Sequence, residues 1–318
     1  MNLERLSSSD NVGTQGEGFR PFNPSIGVIM RANLKNPSRE EATKITSIIS
    51  EYIGNKFAKY EGIPEAAKKL PDHILSGRPS ANSKVANRIN DEFDSSGSPG
   101  FHNSKFNHAF LREQDDEDLD NEGRFQVWLH ESFHFVSQEN GAGLSPWSDD
   151  YSEAFFIPNE YLEDETKLGA IDEGIRALCE GATQIMTEEA ELDMGFPEAE
   201  ISSVYPVEQR LVGSMIDLIG EDKFEEIYLT MSMEELGMRF EALGGDDDSD
   251  FAETFPNGHF ADFLSEVGEC SSYCNQLLEQ DNPDYKMIDL CIHECVSLLE
   301  NYLRITGYLR TDKNEAMS

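Results

Sequence analysis

Two histidines one helical turn apart, with a glutamate beside the first, form the stretch of this chain best suited to chemistry: His130-Glu131-Ser132-Phe133-His134. Side chains four positions apart on an α-helix stack on one face, so both imidazoles can reach one metal ion. Glu131 projects from the neighbouring position, close enough to hold a water without occupying the metal. Zinc lowers the pKa of a bound water from 15.7 to about 7, within reach of a carboxylate base. The same spacing also suits a helix whose histidines make ordinary hydrogen bonds. Against that reading, Val127-Trp128-Leu129 and Phe135-Val136 flank the motif with uncharged, mostly bulky side chains. These predict a buried helix with one polar edge.

A catalytic zinc site takes three protein ligands and leaves a fourth position open. Positions 137 and 140 are Ser and Asn, so the extended HExxHxxGxxH form is absent. A carboxylate from the next helix is expected instead. The stretch Ile171–Met186 offers Glu173 and Glu180, two turns apart and on one side of a helix. Each is followed by a glycine, Gly174 or Gly181, expected to let that helix approach the motif helix closely.

With Glu180-Gly181-Ala182-Thr183 downstream of the two histidines, the chain resembles the small intracellular gluzincins related to thermolysin. Tyr205-Pro206-Val207-Glu208, Leu218-Ile219-Gly220-Glu221 and Ile227-Tyr228 are similar to the helical pattern after the ligand helix in such families. The resemblance covers roughly residues 100–245, and only its HExxH part is highly specific. It implies a zinc metallopeptidase with His130, His134 and Glu180 as ligands, Glu173 as the alternative third ligand, and Glu131 as catalytic base. Relatives of thermolysin place an Asp four residues after the ligand Glu to support a ligand His. Here that position is Gln184, or Ala177 if Glu173 is the ligand, which leaves Asp172 or Thr183 to take the part. A donor to the developing oxyanion is also needed. Tyr205, Tyr151, His259 and Arg210 are candidates, with Tyr205 preferred because it follows the ligand helix.

The other reactive group is a pair of CxxxC motifs, Cys270/Cys274 and Cys291/Cys295, placed symmetrically about Asp281-Asn282-Pro283-Asp284. In an antiparallel helical hairpin Cys274 would face Cys291, and Cys270 would face Cys295. Buried reduced thiols, two inter-helix disulfides, and a four-thiolate metal site are all compatible with this arrangement. Twin pairs of this kind resemble those of disulfide-stapled helical hairpins. His293 falls off the stripe, which disfavours a Cys/His site. Cys179 reads as a packing residue beside Glu180, with a reactive thiol as the alternative.

The elements that must position these groups follow from patterning. Ser38 and Glu41 form a capping-box signal before Ala42, Ile45, Ile49, Tyr52 and Ile53 at helical spacing. The stretch 68–100 reads mostly as loop, 106–111 as a strand, and 121–137 as the motif helix. Helices are expected over 166–191, 207–219 and 223–243, with two more around the Asp281–Asp284 turn. The expected fold is therefore α+β and mainly helical: a zincin-like core at 36–245, with a small antiparallel sheet before the motif helix. A flexible tail is expected at 1–35, with at most one short strand, at 26–30. An acidic linker is expected at 246–257 and a helical hairpin at 258–310.

Composition bounds the partners. With 25 Lys+Arg against 62 Asp+Glu, the formal net charge is −37, which repels phosphate backbones and anionic lipid. The expected substrate is a peptide or protein, basic ones being favoured, with no nucleic acid and no membrane. Met1–Gly18 lacks the basic head and apolar centre of a secretory signal, which predicts a cytoplasmic protein while leaving open secretion routes that bypass such a signal. The competing expectations are a metal-binding protein of the same shape without proteolysis, and an acidic helical interaction protein.

Overall fold

Ser38 and Glu41 close a reciprocal cap on the first described helix, α1 (Arg39–Lys56). The Glu41 amide donates to Ser38 Oγ at 3.2 Å, and the Ser38 amide donates to the Glu41 carboxylate at 2.8 Å. The computed structural model describes residues 34, 37–76, 99–103, 108–111, 120–141, 164–196, 205–231, 260–280 and 282–305. Of the expected tail only Leu34 falls within these, and it is buried. The acidic linker lies outside the described residues.

Helix α2 (Ile63–His73) corrects the start of the stretch 68–100, expected to be mostly loop; residues 77–98 lie outside the described residues. Its buried stripe is Ile63, Ala66, Ala67 and Leu70, and Pro71 lies inside it. Proline has no N–H for the carbonyl four residues back. That carbonyl, on Ala67, instead accepts from Ser50 Oγ at 2.7 Å. A side chain of α1 thus replaces the lost backbone bond and lets the helix pass through Pro71.

Three short strands follow: β1 (Ile74–Ser76), β2 (Gly100–Asn103) and β3 (His108–Leu111). Their order is β1-β3-β2, with β1 parallel to β3 and β2 antiparallel to it. The sheet is therefore mixed rather than antiparallel. β1 leaves the end of α2 and meets β3 in the same direction, a long-range pairing that no turn signal announces.

Helix α3 (Asn121–Glu139) carries the histidine motif and starts from Asp120, whose carboxylate accepts from the Gly123 amide at 2.9 Å. It runs through the core, with Phe125, Leu129, Phe133, Phe135 and Val136 fully buried. Trp128 Nε1 donates to Thr46 Oγ1 of α1 at 3.2 Å, which satisfies the indole's one polar atom. Helix α4 (Glu165–Met194) is the longest described, running from the Asp164 cap to Gly195 in the left-handed region (φ 91°). Helices α5 (Pro206–Ile219) and α6 (Glu221–Thr230) follow; α6 ends at Thr230 with Met231 extended, short of the helix expected to 243, and residues 232–243 lie outside the described residues. Helices α7 (Phe260–Leu278) and α8 (Tyr285–Ile305) form the C-terminal hairpin.

Helix α4 is the hub, packing against α3, α5 and α7. Its glycines do not face the motif helix, contrary to expectation. A methyl on Gly174 would sit 1.9 Å from the Leu264 carbonyl of α7, and one on Gly181 would sit 2.4 Å from the Glu208 carbonyl of α5. Gly268 of α7 completes the first contact, so two glycines allow the α4 and α7 backbones to touch.

One buried carboxyl of α4 makes stability depend on pH. Glu191 is 3% exposed and accepts from Gln126 Nε2 at 3.3 Å. Burial, with Glu188 nearby, pushes its pKa up from 4.5 to about 8. A carboxyl whose folded pKa exceeds its unfolded value favours folding while protonated, and that contribution is lost as pH rises through the folded value. Glu191→Gln is therefore expected to raise Tm by a few degrees at pH 9 and to change it little at pH 4. Thermal unfolding followed by circular dichroism at the two pH values measures this.

Candidate metal centre

Helix α3 is held on both faces, so its one polar edge is fixed. His130 and His134 project from that edge toward α4, where Glu180 faces them. His130 Nε2 lies 3.0 Å from His134 Nε2 and 3.0 Å from Glu180 Oε2, and His134 Nε2 lies 3.4 Å from the same oxygen. A tetrahedral ion with bonds of ~2.0–2.1 Å separates its ligand atoms by about 3.3 Å. The triangle thus has the size that one ion with these donors needs. The three side chains are 9%, 11% and 17% exposed, so water competes weakly for their lone pairs.

The protonation pattern expresses the same convergence. Burial lowers the His130 pKa. It acts likewise on His134, but Cys179 and Glu180 outweigh it and hold that imidazole well above its usual value. Burial would raise Glu180, yet His134 and the His130 hydrogen bond keep it well below the ordinary carboxylate range. The site therefore keeps the Glu180 carboxylate charged beside a positively charged His134 and a neutral His130.

The imidazole of His134 is oriented from behind. Its Nδ1 lies 3.5 Å from Cys179 Sγ and 3.4 Å from Thr183 Oγ1, and Thr183 Oγ1 is 2.8 Å from the Tyr228 hydroxyl of α6. Acceptors at Nδ1 favour the proton there and free Nε2 for a metal. Of the two supports weighed from sequence, Thr183 takes this position, whereas Asp172 is exposed. Gln184 turns away and donates to Glu188 at 3.1 Å.

Glu131 is 6% exposed, and its Oε2 has no hydrogen-bond partner among the described residues. Burial pushes its pKa up to about 8. Strand β2 closes over it: a methyl on Gly100 would lie 2.7 Å from Val127 Cγ1 and 3.3 Å from Glu131 Cγ. Tyr205, at the start of α5, stacks on His130 with ring centroids 5.7 Å apart at 24°. Burial raises its phenol pKa, and the nearby Glu180 and Glu131 raise it further, so the hydroxyl stays a donor.

The remaining candidates lie elsewhere. Glu173 receives Arg176 Nε at 2.9 Å and is also paired with the Arg176 terminal nitrogen, leaving it turned from the histidines. Arg210 pairs with Asp289 of α8. Tyr151 and His259 lie outside the described residues.

Sequence reasoning missed His102 of β2, whose ring stacks on His134 at 6.1 Å and 11°. It also gave Tyr228 no part in the site, and it read Cys179 as packing or a reactive thiol rather than a support for His134. Cys179 and Thr183 lie one turn apart around Glu180, a spacing that could have signalled a shared polar face.

The cavity lined by Lys56, Lys59, Asp193, Glu221, Asp222 and Glu225 is separate from this centre. Its carboxylates are largely engaged by its lysines, Lys56 with Asp193 at 2.6 Å and Lys59 with Glu225 at 2.9 Å. Comparison of the chain with protein-family models, curated proteins and solved structures finds no match.

Proposed function

We propose that this chain is a zinc metallopeptidase of the gluzincin type, with a zincin-like core built on α3 and α4. His130, His134 and Glu180 hold the metal, and Glu131 is the catalytic base. The observation that carries this reading is the convergence of three lone-pair atoms at metal-ligand spacing beside a buried carboxylate oxygen that lacks a partner. The donor set supports zinc, since two imidazoles and one carboxylate form a known catalytic zinc set.

Zinc bound there supplies a Lewis acid, which acidifies water at neutral pH and polarises the carbonyl of a peptide. The chain's own groups do the rest. Glu131 takes the proton of the attacking water and passes it to the leaving amine. Its burial and raised pKa suit both halves of that transfer near neutral pH. The Tyr205 phenol donates a hydrogen bond to the carbonyl oxygen as negative charge develops on it. Cys179 and Thr183 keep His134 in the tautomer the metal requires. A formal net charge of −37 favours basic peptides or proteins as substrates by attraction alone.

A second reading, metal binding without proteolysis, shares the site and differs only in turnover. The zinc-loaded chain is expected to cleave unfolded casein or a mixed peptide library, to stop with a chelator, and to resume with zinc. Zinc-loaded, folded chain that cleaves none of these would favour the second reading.

A further inference from the structure

The four cysteines of the hairpin do not sort into two separate layers. Cys270 Sγ lies 3.4 Å from Cys291 Sγ, the diagonal partner rather than the symmetric one. The sulfurs of Cys270, Cys274 and Cys291 all lie within 4.8 Å of one another. Cys295, one turn beyond Cys291, is not part of this trio. All four are free thiols; Cys291 is half-buried and the others are buried.

Disulfides fit this arrangement poorly. A bond between Cys270 and Cys291 would leave Cys274 and Cys295 to pair. Cys274 Sγ faces the Ile288 carbonyl at 3.9 Å, and Cys295 lies two helical turns beyond Ile288. Two turns span about 11 Å along a helix, more than a disulfide bridges. Tetrahedral zinc with Zn–S bonds of ~2.3 Å separates its sulfurs by about 3.8 Å. The observed spacings bracket that value. A single ion uses the sulfurs of Cys270, Cys274 and Cys291 at once, which pairwise bonds cannot do.

We propose that Cys270, Cys274 and Cys291 form a second, structural metal site that takes a thiophilic divalent cation such as zinc and clamps α7 to α8. Because α7 lies against α4 through Gly268 and Gly174, the clamp also steadies the helix that carries Glu180. Half-buried Cys291 gives the ion its way in. Burial pushes the Cys291 thiol up to about 11, so the metal displaces protons to the solvent as thiolates form.

Cobalt(II) titration of the reduced, metal-free, full-length chain tests this. The expected result is a near-ultraviolet thiolate-to-cobalt charge-transfer band that saturates at one equivalent and is displaced by zinc. The band is expected to persist in a His130→Ala/His134→Ala double variant, which separates it from the histidine site. It is expected to disappear in Cys270→Ser/Cys291→Ser. A folded, fully reduced wild-type chain that develops no such band overturns the proposal, whatever the serine variant does. So does a purified chain with two disulfides that, once reduced, still gives no band.

Discussion

Glu131→Gln is expected to leave zinc in place and to lower turnover by about 10²–10⁴-fold, the range that a positioned general base contributes. Glutamine matches glutamate in shape but takes no proton, so the change removes proton transfer while sparing the ligands. The buried setting makes the expectation sharp. Glu131 is 6% exposed and lies beneath Gly100 of β2, so bulk water cannot readily replace it as base. Peptide hydrolysis measured alongside bound zinc reads both halves. Loss of zinc and turnover together would mean that Glu131 supports the metal instead of the reaction. Unchanged turnover would remove it from the mechanism.

Gly268→Ala carries the largest expected effect on stability. The added methyl would stand 1.8 Å from the Ala170 carbonyl and 2.6 Å from the Gly174 amide, both backbone atoms of α4. A flexible side chain could turn aside, but here one helix must move off the other. The expected cost is about 3 kcal/mol or more, at the upper end for overpacked sites. At roughly 2–4 °C per kcal/mol for larger domains, Tm falls by on the order of 10 °C. Gly169→Ala, on the facing helix α4, is the control: nothing lies within 4 Å of its methyl. It is expected to stabilise the fold by about 0.5–1 kcal/mol through helix propensity. Equal melting points for the two variants would contradict the close α4–α7 contact.

Local rules made much of the scaffold legible. The Ser38–Glu41 cap, the apolar flanks of His130–His134 and the helical period after Glu165 each act within a few residues, and each lies in a helix of the structure. The failures were non-local. Helix α2 was hidden because Pro71 argues against a helix, and the Ser50 hydroxyl that compensates comes from another element. The two glycines after Glu173 and Glu180 signalled close approach, but sequence does not say toward which neighbour, and both face away from α3. Between those two carboxylates spacing alone could not choose. The structure separates them because Arg176 pairs directly with Glu173, while the ion pairs of Glu180 among the described residues are with His130 and His134. His102 and Tyr228 reach the site from β2 and α6, positions that only tertiary packing brings together.

The central claim is that His130, His134 and Glu180 share one zinc ion, and zinc content per folded chain in wild type and His134→Ala tests it most directly. The account predicts that the variant holds one equivalent less than wild type, a difference that stands however the cysteine cluster behaves. Equal zinc content in the two folded proteins would contradict it.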